Sequence, residues 1–543
     1  MDIDEAHFRK HLLSILHNIA NASFVTIDLE MSGITTKPQN GQHRFGKPSL
    51  QHVYEDMRDA AATYQIVQVG ITCVEEDHER EFYRARPYNF NLSPLQAFGT
   101  DIKLDRDFCF ASSACDFLVR NHFDFGRLFT SGVTYLSKDE ERKLREEYKE
   151  RTTRGSTIPD IPVAVTDHEV LQFYRKARRT ITEWVESPKP TVNYVNIGSA
   201  IEQLSGYERR LVHQLVRKEF PKLRAFAKNG SQFMQITHLD ERREAAFQRR
   251  KDEQFETNLA KQIGLRWIFE ALSGGDLSRI DPGWFYSESQ DDTPSRSYDA
   301  ITKELREVTL KLKTKDHVIV GHNLFTDLGF IKSTFFDVVP IKVEHFQEDI
   351  SELFPTIFDT KYLATHGPES SNIKSGLWEL LEPLKTIHTP MILLDEKHSS
   401  YGSIAGRQHE AGYDSWMTAE LFVKLSAKLY KERKENLGPE SSNSSSTSLD
   451  ALNDDTGGVS LNTTDTNGDN LIEFADNLPA NNHHAQELNC FADLALLDVE
   501  EGSKEKTPLF IPSFKSKFWD AYANKLRVAG AEGSLCDLAA GFI

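Results

Sequence analysis

Residues 24–34 read FVTIDLEMSGI, a run of apolar and β-branched strand formers that carries two carboxylates one residue apart. Side chains on a strand alternate between its faces. Val25, Ile27, Leu29 and Met31 therefore share one face, and Thr26, Asp28 and Glu30 the other. Neighbouring carboxylates repel, which raises at least one pKa unless a positive charge lies between them. Two readings fit the segment alone: a solvated face of an edge strand, or half of a metal site, since hard divalent cations take oxygen ligands. The choice turns on carboxylates elsewhere and on an apolar framework able to gather them.

The chain has room for such a framework. At 543 residues it can bury more than one core, and two or three domains are expected. Cys73, Cys109, Cys115, Cys490 and Cys536 are scattered and form no CxxC pair. That fits a reducing compartment and argues against a disulfide scaffold or a cysteine zinc site. The N-terminal HLLSILHNIA is too short and polar for a secretory signal, the C-terminal LCDLAAGFI is too short to span a bilayer, and no other run is long enough. The expectation is an intracellular protein of nucleus, cytoplasm or both, without membrane attachment.

A formal charge of −18 disfavours a nucleic-acid partner only if it is evenly spread. Residues 435–503 hold 14 acidic side chains and no Lys or Arg, which leaves −4 on the remainder. Basic surfaces remain available there.

Along the chain, residues 1–165 alternate strands and helices. FVTIDLEM is followed by IVQVGITCVEE (66–76) and EREFYRARPYNF (79–90), read as an antiparallel meander, then by helical SSACDFLVRN and KDEERKLREEYKERTTR. Residues 168–254 are helix-rich and basic and read as an inserted small α+β module. The α/β texture resumes over 255–434. HVIVGHN (317–323) and PTIFDTKYLA (355–364) read as buried strands, and 412–432 as an amphipathic helix. Residues 435–507, rich in Ser, Asn, Thr, Asp and Gly, bury too little apolar surface to offset chain entropy and read as a disordered acidic linker. Residues 508–543 regain aromatics and are expected to dock as a short helical segment. The calcium-loop imitation DTNGDNLIEFAD (465–476) has Asn470 where a glycine is required and ends on Asp476, so it is set aside.

Further acids occur at telling places. Asp327 lies four residues beyond Asn323, one turn into an expected helix. RQHEAGYDSW supplies His409 and, at the start of the long helix, Asp414. A mixed sheet flanked by helices can bring Asp28, Glu30, Asp327 and Asp414 to one cleft at the strand ends. Four carboxylates there require cations. Two Mg²⁺ ions roughly 3.5–4 Å apart would make them a phosphodiester-cleaving device, with His409 as proton acceptor.

FVTIDLEMSGI, IVQVGIT, VGHNLFTDLGFI, FDTKYLA and HEAGYDSWMTAELF together resemble the poly(A)-specific ribonuclease branch of the DEDD 3′→5′ exonucleases, over most of residues 1–165 and 255–430. The resemblance implies an RNase H-like α/β fold, Mg²⁺ (or Mn²⁺) held by Asp28, Glu30, Asp327 and Asp414, and His409 as general base. Its place five residues before Asp414 marks the histidine-type subclass. The implied substrate is single-stranded RNA with a free 3′-hydroxyl, preferably poly(A), and relatives form homodimers. Met31 and Ile34 stand where they could contact the terminal base, with Phe108, Phe123 and Phe125 as weaker candidates. Lys361 could approach a phosphate. Within the insert, Arg209 and His213 stand four apart on one helix face and Arg217 continues it, resembling the small module named for its Arg-x-x-x-His signature. Animal members carry an RNA-recognition motif where this chain has its acidic stretch, so cap recognition and strong processivity are not expected.

Overall fold

In chain order the strands are β1 (Phe24–Met31), β2 (Ile66–Asp77), β3 (Phe82–Ser93), β4 (Val133–Thr134), β5 (Tyr194–Gly198), β6 (Leu223–Lys228), β7 (Phe233–His238), β8 (Val318–Gly321), β9 (Thr356–Asp359), β10 (Ile392–Leu394), β11 (Lys525–Arg527) and β12 (Leu535–Asp537). They come from a computed structural model that describes residues 1–35, 48–154, 160–162, 168–187, 192–198, 203–286, 297–366, 375–402, 409–437, 509–528 and 535–542. The linker reading for 438–507 and the calcium-loop imitation lie outside these residues.

The central sheet has the order β10-β3-β2-β1-β8-β9, with β4 beside β3. It is mixed. β1, β2 and β3 form the expected antiparallel meander, and β8 runs parallel to both β1 and β9. The two β1 faces meet different layers. Val25, Ile27 and Leu29 join the larger apolar cluster with Ile319, Ile357 and helices on that side. Phe24 joins a second cluster with Val320, Phe358 and Phe422. The period-two pattern therefore assigns the faces correctly, and the polar face of β1 meets the helix Ala411–Leu437 through a Thr26 Oγ1 to Ser415 carbonyl bond of 2.6 Å.

Several expected boundaries shift. The run 317–323 contributes only Val318–Gly321 to the sheet. The run 355–364 is not one strand: β9 ends at Asp359, whose side chain caps a helix Thr360–Thr365 by accepting from the Lys361 N–H at 2.9 Å. The final long helix continues to Leu437, so residues 435–437 are helical although their composition placed them in the linker.

Within the insert, β5, β7 and β6 form a separate antiparallel sheet in that order. The helices His168–Glu186 and Gly206–Glu219 share a small apolar cluster with it, built on Ile181, Leu215, Met234 and Ile236. The sequence boundary at 254/255 falls inside one continuous helix, Glu241–Ile263. Residues 1–430 and 508–543 make one compact unit and Lys431–Thr507 a second. Among the described residues no helix is long and apolar enough to cross a membrane.

The C-terminal segment packs through more than a helix. A 3₁₀ turn, Lys517–Ala521, seats Phe518 and Trp519, and β11 pairs with β12. Asn524 extends the pattern to the exposed edge of β9: its N–H reaches the Ile357 carbonyl and its Oδ1 accepts the Ile357 N–H, both at 2.8 Å. The outward N–H and C=O of Ile357 on this edge strand are thereby covered.

Candidate active site

Asp28 and Glu30 lie on β1, opposite Gly70 and Gln68 of β2. Asp327 is the third residue of the helix Phe325–Phe335, and the Leu29 N–H, between the two β1 acids, favours the charged form of its carboxyl. Asp414 is the fourth residue of the helix Ala411–Leu437. All four carboxylates and His409 are half-buried. Ligand atoms of Glu30, His409 and Asp414 lie within 4.8 Å of one another.

The electrostatics follow from that crowding. Burial, then the charges of Asp414, Asp327 and Glu30, raise the Asp28 carboxyl well above the usual range. Burial, then Asp414 and Asp327, do the same to Glu30. Burial raises Asp327 to about 8, with Asp359 adding to the rise and backbone N–H groups opposing it. Burial also raises Asp414 to about 7, against the pull of the His409 N–H. Such a set keeps protons near neutral pH unless cations replace them. An all-oxygen donor set with one adjacent imidazole fits hard divalent ions such as Mg²⁺.

His409 has a left-handed backbone, φ 67°. Its N–H lies 3.3 and 3.4 Å from the two Asp414 oxygens, and its ring meets Phe117 edge-to-face at 4.7 Å between centroids. Burial lowers its pKa, so the ring is neutral and able to accept a proton at pH 7.

Sequence reasoning missed what sets the Asp414 helix against the sheet. The first N–H groups of a helix have no partner within it. Here the Ala411 N–H is taken by Gln68 Oε1 at 2.9 Å and the Gly412 N–H by Asn89 Oδ1 at 3.1 Å. Thr72 Oγ1 adds a 2.8 Å bond to Ser415 Oγ. Gly70 makes the approach possible, because a Cβ there would collide with the Ala411 carbonyl and lie 2.5 Å from the Gly412 nitrogen. A glycine inside a strand pattern is the available signal for such a close approach. Gly70→Ala should therefore displace the helix and lower kcat by roughly 10²-fold, the scale of a 1 Å misplacement. Wild-type kcat in a normally folded Gly70→Ala protein would refute this role. Asp359 was missed too. It accepts N–H groups from Asn323 (2.8 Å) and Arg527 (2.9 Å) and so fixes the loop leading to Asp327.

The remaining candidates scatter. Met31 is half-buried against the larger core, just past a register shift at Glu30/Met31, and Ile34 is 54% exposed. Both follow the acidic pair. Phe108, Phe123 and Phe125 pack around Val67, Leu118 and Leu128. Lys361 lies on a helix, not a strand, is buried, and turns its Nζ to the Ser375 carbonyl. Arg209, His213 and Arg217 belong to the insert helix Gly206–Glu219. Arg209 Nη1 bonds Ser231 Oγ at 2.9 Å, and Arg217 pairs with Asp160.

The sequence profile of the CAF1 family ribonucleases matches residues 3–422. The chain belongs to this family. Among similar proteins, "Poly(A)-specific ribonuclease PARN" of Xenopus laevis is 24% identical over 442 residues, covering 78% of this chain and 62% of that protein's length. "Uncharacterized protein C29A10.09c" of Schizosaccharomyces pombe is 28% identical over 440 residues, covering 78% of this chain and 92% of that one. "Pre-piRNA 3'-exonuclease trimmer" of Bombyx mori is 24% identical over 435 residues, covering 78% and 71%. The CAF1-family match includes all four acids and His409 and ends before the C-terminal segment.

Proposed function

We propose that this chain is a Mg²⁺-dependent 3′→5′ exoribonuclease that degrades single-stranded RNA, with poly(A) tails as the favoured substrate and 5′-AMP as the product. The convergence of Asp28, Glu30, Asp327 and Asp414 beside His409 carries the reading. These four carboxylates would hold two Mg²⁺ ions, with Mn²⁺ as a substitute. The bound ions would supply an activated water and stabilise the leaving 3′-oxygen. Asp327 orients from the helix side, beside β1. Asp414 is held by the Gln68 and Asn89 contacts to its helix. His409, neutral at pH 7, takes the proton of the attacking water. Met31 and Ile34 flank the terminal base. Arg209, His213 and Arg217 offer a basic helix face for the backbone upstream, while Lys361, bonded to Ser375, is left with a structural part.

The Bombyx mori relative's name supports a second reading, trimming of small-RNA 3′ ends, with equal identity to the Xenopus match. A timed digestion of length-matched oligo(A), oligo(U) and DNA, with and without Mg²⁺, separates these. The expected result is Mg²⁺-dependent, stepwise shortening from the 3′ end, fastest on oligo(A). Equal rates on oligo(A) and oligo(U) favour trimming. RNA binding without shortening in Mg²⁺ would sink the nuclease assignment.

A further inference from the structure

Among the described residues, the insert sheet is covered on one side only. Ile197, Leu223, Met234 and Ile236 turn to the two helices and are buried. Strand alternation then sends the intervening residues to the opposite face. That face presents one aromatic ring from each strand: Tyr194 on β5 (40% exposed), Phe226 on β6 (46% exposed) and Phe233 on β7, half-buried as befits a central strand. The cross-strand register places cations beside them. Tyr194 and Arg224 both pair across to Thr237, and Lys228 pairs across to Phe233. No outward residue of the three described strands is acidic. Among the described residues, Arg224 has only a loose ion pair, 3.9 Å to Glu244, and Lys228 has none.

Exposed rings on an open sheet suit one ligand chemistry well. Bases stack on aromatic side chains whatever their identity, and neighbouring cations track the phosphates. Several large rings left together on an uncovered sheet commonly mark an interaction surface. The helix that bears the Arg-x-x-x-His pattern is partly engaged elsewhere. Arg209 braces the β6–β7 turn, where Asn229, Gly230 and Ser231 all have positive φ, and Arg217 and Lys218 both pair with Asp160.

We propose that the open face of β5-β7-β6, through Tyr194, Phe226, Phe233, Arg224 and Lys228, is a stacking platform for single-stranded RNA. This deepens the nuclease reading and rests on it for the substrate class: the platform would hold the strand upstream of the end being cut.

The test uses the full chain carrying Asp28→Ala, so that RNA survives in Mg²⁺. Fluorescence anisotropy measures binding of an oligo(A) of roughly 20 nucleotides, with Tyr194→Ala and Phe226→Ala added together. The expected result is a loss of affinity of roughly 10–100-fold with an unchanged melting temperature, since both rings are exposed. Lys228→Ala should weaken binding and flatten its salt dependence. In the cleavage-competent chain, Tyr194→Ala/Phe226→Ala should raise KM for the long oligomer and leave kcat intact. Unchanged affinity in a normally folded double variant overturns the platform. So does unchanged RNA affinity accompanied by loss of self-association in light scattering, which would assign the face to a second copy. A wild-type chain that binds oligo(A) through this face yet cuts nothing would refute the nuclease reading alone.

Discussion

Asp28→Ala should abolish RNA hydrolysis and leave RNA binding in place. The loss should exceed the roughly 10–100-fold that substitutions in the outer shell of a metal site bring, because Asp28 stands among the proposed ligands themselves. Its neighbours explain why nothing compensates. Glu30, Asp327 and Asp414 all act on the Asp28 carboxyl, so its removal changes the charge of the whole recess. Stability should respond in the opposite sense. These carboxyls have folded-state pKa values raised above those of the unfolded chain, to about 8 for Asp327 and about 7 for Asp414. The folded chain thus binds more protons. The stability this confers is fully present below the unfolded values near 4 and is lost as pH rises through about 7–8. In chelator, wild-type melting temperature should fall over that window, Mg²⁺ should restore it, and Asp28→Asn should flatten the fall. Hydrolysis of labelled oligo(A) at the wild-type rate by Asp28→Ala, or a wild-type melting curve indifferent to both pH and Mg²⁺, would contradict this account.

The candidate site was legible to the extent that chemistry repeats in the sequence. Two acids spaced by one on a strand, an acid one turn into a helix and a histidine five before another acid form a pattern. The alternation of Val25, Ile27 and Leu29 told which face each β1 residue takes. What stayed hidden depends on three-dimensional approach. Nothing in IVQVGIT says which backbone passes over Gly70, or that Gln68 and, on the next strand, Asn89 would cap a helix more than 300 residues later. FDTKYLA looks like a strand because Phe, Thr and Tyr favour one. Asp359 nevertheless caps a helix at Thr360, and tertiary context overrides the propensity. The Arg209–His213 spacing identified a helix face correctly. Whether that face stays open depended on Ser231 and Asp160, which the spacing cannot reveal. The aromatic face of the insert sheet is not legible in the sequence, because its three rings sit on short strands set among helices.

Ending the chain at residue 508 should cost both stability and turnover. The C-terminal segment lies outside the span matched to the CAF1 family, yet it packs on the elements that carry the site. The Trp519 ring lies 4.7 Å from Phe358 of β9 and 5.5 Å from Phe422 of the Asp414 helix, and Phe514 lies 6.3 Å from Phe24 at the start of β1. Each of these strands or helices supports an acid of the site or Asp359. Hydrogen bonds fix the arrangement. The Trp519 indole donates to the Pro512 carbonyl at 3.0 Å, the Arg527 N–H reaches Asp359, and Gln347 donates to the Asp537 carbonyl at 2.6 Å. Ordering a segment costs about 1–2 kcal/mol per residue in backbone entropy, so it stays docked only while its buried anchors act together. Trp519 is the largest of them, 2% exposed. Trp519→Ala alone should remove about 3–5 kcal/mol, the usual loss for a buried Trp or Phe. Deleting 509–543 should lower the melting temperature by at least roughly 5 °C and reduce kcat, because the Asp414 helix and the β9 edge lose their cover. A synthetic peptide of residues 509–543 added in trans should recover part of both. Truncated protein that melts and turns over like the full chain would mean that this segment merely rests on a nuclease already complete without it.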